Sequence, residues 1–339
     1  MANYSNTRIQ RLYVVPEATW GTIPNTTGTA TLAGSNCCRM SSFDITHSQQ
    51  ETVRSDKTGS FGVTLGILGR RQASWSAKMS MAPGGAAGTK PDMGPIIEAC
   101  MGKLAVVSAG VSVTYGLDDL NPSVDLWDFN TPGTMTQRVI LGAIGQKASF
   151  NLGADEPTVD FSGQGLAVLD TDIFSTADVI SKGGLTAFPS EPGSPVTNGT
   201  PPPGFTGVIT LDGQTYTTFR TGTVAVDTAR ELPMDGFNSY YGLSPAGGER
   251  NVTVDWSMYD DDSANLTALK VKAYNGTTVN LGFQIGTVAG SIWTFNLKNV
   301  LLPKPKFDYS GKRRVIQFSG ARAHDTTIGA KDALSIVLT

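Results

Sequence analysis

The sequence predicts a mainly β protein with minor α: two tandem β-sandwich or half-barrel units, each with a short flanking helix. Three observations predict it. Two stretches, "QASWSAKMSM" (72–81) and "NVTVDWSMYD" (251–260), alternate with period two. A [ST]-F-N-L strand followed by a V/I-x-F-S-G strand occurs twice, within 149–163 and 294–320. Charged residues make up only 16% of the chain while Gly reaches 39 residues, which suits short strands and turns better than long surface helices.

The elements follow in order. The N-terminal arm "VPEATWGTIP" (15–24) reads as a strand ending in a Gly-Thr turn. "SFDITH" (42–47) and "TVAVDT" (223–228) are short strands that precede the two alternating ones. In the first alternating strand Ala73, Trp75, Ala77, Met79 and Met81 face one way, and Ser74, Ser76, Lys78 and Ser80 the other. In the second, Val252, Val254, Trp256 and Met258 oppose Thr253, Asp255 and Ser257. Loops of about twenty residues, 48–71 and 229–249, rich in Gly and charge, join each pair. A short helix comes next. "DMGPIIEACMG" has Asp92 as N-cap and Gly102 as terminator; "DDSANLTALKVKAYNG" has Asp262 or Ser263 as cap, Leu266, Leu269 and Ala273 as apolar stripe, and Gly276 as stop. In the closing strands Ala148, Phe150 and Leu152 match Trp293, Phe295 and Leu297, and Val159 and Phe161 match Ile316 and Phe318.

One unit is thus written twice. A length of 339 residues exceeds the ~250–300 at which single cores stop growing. The break falls at "FPSEPGSPVTNGTPPPGF" (188–205), whose six prolines and three glycines make a semi-extended spacer. The expected domains are 1–187 (arm plus first unit), the 188–205 linker, and 206–339 (second unit).

Several function classes are disfavoured. A net charge of −3 argues against a free nucleic-acid binder. The longest apolar run is far short of the ~20 residues of a membrane span. "MANYSNTRIQRLYVV" lacks a signal-peptide core, which predicts a chain made and used without secretion. Cys37, Cys38 and Cys100 form no disulfide framework, and with only His47 and His324 they have no zinc spacing. "GGAAGTK" departs from a phosphate loop because Thr89 separates Gly from Lys and Pro91 follows. "YDDDSANL" (259–266) lacks the alternate ligands of a calcium loop and suits a helix start. No nucleophile elbow or triad pattern occurs, and Asp118–Asp119 and Asp155–Glu156 sit in turn-like stretches. The expectation is no enzyme, no cofactor and no metal.

Glu17, Trp20, Gly21, Thr22 and Pro24 fill the pattern E-x-x-[YWF]-G-T-x-P. With "SSFDITHSQQETVRSDKTGSFG" and "MGPIIEACMG", the chain resembles the major tail tube proteins of long-tailed bacteriophages, here in a duplicated-domain form. The likeness is best over residues 8–104, general beyond, and carried by short motifs. It implies tail-tube-like units of β-sandwich type with a flanking helix, and stacked rings of six domain positions around a channel for DNA passage. Two units per chain then imply a homotrimer, a pseudo-hexameric ring. The implied setting is the virion tail, assembled in the host cytoplasm. The implied partners are the chain itself, other tail proteins at the tube ends, and phage double-stranded DNA in transit without specific binding, with no membrane insertion.

Physical reasoning points the same way. Half-barrels leave sheet edges that need covering, and a head-to-tail contact that closes makes a ring. A short linker also holds paired units at roughly millimolar effective concentration. Asp44, Thr46, Ser74 and Ser76 in the first unit and Asp227, Thr253, Asp255 and Ser257 in the second are the candidate lumen lining. Lys78 shares that face, and the opposite faces stay open as alternatives. Glu51, Arg54, Asp56 and Lys57 in one loop, and Arg230, Glu231, Asp235 and Tyr240 in the other, are placed to reach the next ring, against plain exposed variability. A rival reading is a two-domain β-sandwich virion decoration or adhesin protein, which exposed aromatics at loop tips would favour. A third is an enzyme with a site between the domains.

Overall fold

Both alternating stretches form strands, and each is followed by the expected helix. The computed structural model describes residues 7–54, 57, 64–130, 136–153, 155–176, 182–197, 199–235 and 239–339. Strand β1 (Gln10–Pro16) leads to a small hairpin, β2 (Asn25–Thr26) and β3 (Thr29–Ala30), and to β4 (Cys37–Cys38). A long hairpin, β5 (Ser42–Arg54) and β6 (Thr64–Ser80), precedes helix α1 (Gly94–Met101). Then come β7 (Val106–Ser108), β8 (Ser112–Gly116), β9 (Val124–Asn130), β10 (Arg138–Leu152), β11 (Thr158–Gly165) and β12 (Ala167–Asp170). The second half holds β13 (Val208–Leu211), β14 (Gln214–Tyr216), β15 (Phe219–Asp227) and β16 (Asn251–Tyr259), then helix α2 (Ala264–Asn275). It ends with β17 (Thr278–Ile285), β18 (Trp293–Leu301), β19 (Lys306–Asp308), β20 (Val315–Ala323) and β21 (Leu334–Leu338).

The helix ends follow local chemistry, with one correction. Ser263 caps α2 by accepting from the Leu266 N–H, and Gly276 closes it in the left-handed region at φ 67°. Gly102 closes α1 in the same way at φ 80°. Asp92, however, is not the cap of α1. Met93 holds that position without a side-chain bond, because the Gly94 N–H already turns back onto the Pro91 carbonyl and Pro95 fills the first turn.

Among the described residues all ladders are antiparallel, and apart from the separate β2–β3 hairpin the strands fall into three runs. The first is β5-β6-β11-β10-β15-β16-β20-β19. The second is β4-β1-β9-β10-β12, and the third β14-β13-β17-β18-β21-β8-β7. One apolar core, drawn from all three runs and both helices, lies between the first run and the other two. Phe150 of β10 meets Phe295 of β18 within it at 5.2 Å between ring centroids. A second core under the β1–β9 sheet gathers Tyr13, Ile23, Trp127, Leu169 and Leu185. That sheet is covered on both faces, so β9 is buried at every position but its last instead of alternating.

The two four-strand runs β5-β6-β11-β10 and β15-β16-β20-β19 share order and register. Met79 faces Val159 as Met258 faces Ile316, and Ala77 faces Phe161 as Trp256 faces Phe318. The Phe-Asn-Leu likeness does not survive. Phe150 lies between β11 and β15, whereas Phe295 lies between β17 and β21. By pairing, the counterpart of Phe150, which faces Val159, is Phe307, which faces Ile316. Strand β10 passes through two sheets by way of a bulge between Gly145 and Lys147. The corresponding stretch is split into β18 and β19 by Pro303 and Pro305, which cannot donate to a ladder, while Asn299 at φ 46° marks a bulge inside β18.

The halves meet directly. Residues 147–152 of β10 pair with 222–227 of β15, and 113–116 of β8 pair with 335–338 of β21. The 188–205 segment is pinned, not a free tether. Phe188 packs edge-on against Trp127, Glu191 binds Arg11 at 2.8 Å, and the Val196 N–H bonds the Gly34 carbonyl.

Candidate functional site

The first run presents one polar face across both halves. Side chains of period two point away from the core at every second residue, so register decides which of them align. One cross-strand row reads Asp44–Ser76–Ser162–Lys147–Asp227–Asn251. A second reads Ser80–Thr158–Asn151–Thr223–Asp255, and Thr46–Ser74–Gln164 makes part of a third. All eight candidate lining residues therefore share a single face, with Lys78 among them. The residues that sequence reasoning missed, Lys147, Ser149, Asn151, Asp160 and Ser162, come from β10 and β11. Their alternation is visible in "KASFNL" and "TVDFSG", on the side opposite Ala148, Phe150, Val159 and Phe161.

This face is close to charge-balanced. Lys78 stands opposite Asp160, and Lys147 opposite Asp227. Asp44 and Asp255 add negative charge and Arg322, opposite Thr253, adds positive. Hydroxyls and amides connect it: Asn151 donates to Asp160 at 2.7 Å, and Thr221 and Ser257 lie 2.9 Å apart. Both ends of the run are open. Among the described residues β5 pairs only with β6, and β19 only with β20.

The motif residues of the arm form a latch on β10. The Glu17 carboxylate accepts from the Gly21 N–H at 3.0 Å, the Gly142 N–H at 2.8 Å and the Ser123 hydroxyl at 2.6 Å. Trp20 donates its indole N–H to the Gly142 carbonyl at 3.2 Å. Gly142 sits at φ 58°, and a Cβ there would lie 2.8 Å from the Trp20 nitrogen, so glycine is required on both counts. The Gly21 and Thr22 turn, held by a Thr22 N–H bond to Thr19, and the Pro24 carbonyl bond from Thr31 complete the arm. Beside Glu17 lies Asp125, fully buried; the Gly142 N–H, already bonded to Glu17, is near its carboxyl oxygens but closes no full hydrogen bond with them. Burial, then the Glu17 charge, pushes the Asp125 carboxyl well above the usual carboxylate range. A protonated Asp125 that donates to Glu17 resolves the missing donor.

The loops differ from expectation. Of the described residues in this range, 48–54 and 64–71 are paired strand of the β5–β6 hairpin and not loop, with Val53, Ile67 and Leu68 exposed on it. Glu51 bonds the Gly66 N–H, Arg54 contributes backbone to β5, and Lys57 is exposed. Asp56 lies outside the described residues. Among its described residues, segment 229–249 carries only an isolated bridge, Glu231 to Ala246, and leans on the hairpin base, where the Arg71 N–H bonds the Tyr240 carbonyl. Tyr240 and Asp235 are exposed. Arg230 is a correction. It is 4% exposed and donates to the Ala99 and Leu120 carbonyls, so it clamps α1 to the second half and cannot reach another molecule.

The acidic stretch before α2 is also absorbed locally. Asp260, buried, holds Lys270 and Arg314, while Asp261 accepts from Ser263. The three thiols are buried, and burial pushes Cys100 up to about 12.

Among curated proteins none matches the chain. A family model described as phage tail tube protein matches residues 7–338, spanning both halves and the seam between them. The chain belongs to the phage tail tube protein family and has a structural role in the virion tail.

Proposed function

We propose that three copies of this chain close into a ring of pseudo-sixfold symmetry, and that stacked rings form a tube through which phage DNA passes. The observation that carries this reading is the eight-stranded run, made of two like four-strand modules joined at β10–β15 and open at both ends. The like register of the modules supports a duplicated chain with units at 1–187 and 206–339. A repeated module that pairs with itself once can do so again, and closure hides the exposed edges. Three copies would supply twenty-four strands. Spaced about 4.8 Å apart and tilted by about 40°, these enclose a barrel of about 48 Å backbone diameter. Barrels of about 16–18 strands already hold an aqueous channel.

The polar face is the lining in this arrangement. Duplex DNA carries a charge every ~1.7 Å, so a basic wall would grip it. A wall in which Lys78 and Lys147 each oppose an aspartate lets it slide. The β5–β6 arm and segment 229–249 project toward the next ring, with Glu51, Lys57, Asp235 and Tyr240 exposed to meet it. Assembly in the host cytoplasm and capping by other tail proteins complete the proposal.

Electron microscopy of the purified protein tests it: hollow rods with a threefold axis are expected, and isolated monomers at every concentration would overturn it. The lining has its own test. Thr253→Lys with Ser257→Lys leaves the Asp255 bond to the Gly320 N–H intact. Rods should still form, while plating efficiency falls about tenfold or more as lysines grip the phosphates. Unchanged infectivity would remove this face from the channel.

A further inference from the structure

We infer that the contact between copies is an antiparallel ladder between β19 of one chain and β5 of the next, with Phe307 opposite Ile45 and Lys306 opposite Thr46. The inference rests on the ring proposal and deepens it, because it names the edges and their register.

At the seam inside the chain β10 has β11 on one side and β15 on the other, with Phe150 facing Val224 and Ser149 facing Ala225. The register shared by the two modules makes β19 the counterpart of β10, because Phe307 faces Ile316 as Phe150 faces Val159. It likewise makes β5 the counterpart of β15, because Phe43 faces Ala77 as Gly222 faces Trp256. Carrying the internal pairing across by these two correspondences yields Phe307 with Ile45 and Lys306 with Thr46. Strand directions agree, since every neighbour in the run is antiparallel.

Burial supports the same edges. Phe150 at the internal seam is wholly buried, whereas Phe307 in the single chain is 36% exposed. A core-facing aromatic left open at a sheet edge marks a surface awaiting cover. The second copy is the occupant, because it alone presents the strand that the internal seam uses as template. On the polar face the register sets Asp44 opposite Asp308, an unfavourable pair. Lys78 and Lys306, one place along, offset it.

The two kinds of seam are unequal. The internal one also has the β8–β21 ladder, the Arg230 clamp, and Lys331 bound to Asp118 at 2.6 Å and Asp119 at 2.8 Å. The second half runs from α2 to β17 through Gly276 and Thr277 without a hairpin to form such a ladder. The inter-copy seam is therefore the weaker, where a ring opens first.

Thr46→Cys with Lys306→Cys tests the register, because both positions are exposed and the three native thiols are buried. They stand at opposite edges of the run, roughly 30 Å apart, far beyond the ~7 Å limit between Cα atoms for a disulfide within one chain. Mild oxidation of assembled rods should give a covalent ladder ending at the trimer, absent from either single variant. Cross-linking of Thr46→Cys with Asp308→Cys in its place would overturn the register. Rods with a threefold axis but no cross-link in either pair would overturn the β19–β5 contact while leaving the ring. Loss of the rods themselves from the unmodified protein would instead sink the ring. Hydrogen exchange on the unmodified protein is a second measurement. Amides in 43–48 and 304–309 should gain protection on assembly by about tenfold or more, and equal exchange in free and assembled chains would refute the contact.

Discussion

Alanine at Glu17 is expected to lower stability by about 3 kcal/mol, because three donors lose one acceptor together. The N–H groups of Gly21 and Gly142 and the Ser123 hydroxyl all point at that carboxylate. The same change also removes the carboxylate that accepts the Asp125 proton. Urea unfolding followed by circular dichroism would measure the loss, and a change below about 0.5 kcal/mol, the ordinary surface range, would refute the latch. The partner variant has a signature in pH. An unfolded aspartate titrates near 3.9, and burial raises the folded Asp125 above that. The folded chain thus keeps a proton that the unfolded chain releases. This contribution is full below about pH 4 and is lost as pH rises toward the raised value, by about 1.4 kcal/mol per unit. Asp125→Asn removes the titration and keeps a donor for Glu17. It should match the parent at pH 4 and exceed it once pH rises above the unfolded value; parallel curves would refute the raised Asp125 pKa.

Phe150→Ala is expected to cost about 3–5 kcal/mol, the range for deleting a buried aromatic side chain. Phe150 meets Phe161 in its own half and Phe295 in the other, and its strand carries the ladder to β15. The loss should therefore lower the stability of both halves together. Hydrogen exchange by peptide should show β16 and β18 weakening with β10 and β11 in one cooperative step. Destabilisation confined to the first half would mean that the shared core does not couple them. The expectation that a semi-extended spacer joins the units changes accordingly. Coupling comes from a shared ladder and a shared core, and the pinned 188–205 segment adds little to it.

Much of the fold could be read along the chain. Alternation in 72–81 and 251–260 located two strands and their inward faces, and Gly102, Ser263 and Gly276 marked helix ends where they occur. The 48–71 arm was illegible for a physical reason. A two-stranded extension exposed on both faces buries nothing, so it has no apolar period and reads as loop. Arg230 misled for the opposite reason: a charged residue in a Gly-rich stretch reads as exposed unless the carbonyls that receive it are known.

Period-two and period-3.6 patterns report neighbours within a few residues, and those patterns set the strand content, the helix caps and the polar face of each strand. The arm motif also marked the family. Which strands share an edge is a matter of partners a hundred residues apart, and only tertiary structure decided it. Glu17 meets Gly142 because β10 bends there, and the polar faces of two halves align because β10 pairs with β15 in one register and not another. A slip of one residue between β10 and β15 would have turned either Lys147 or Asp227 into the core.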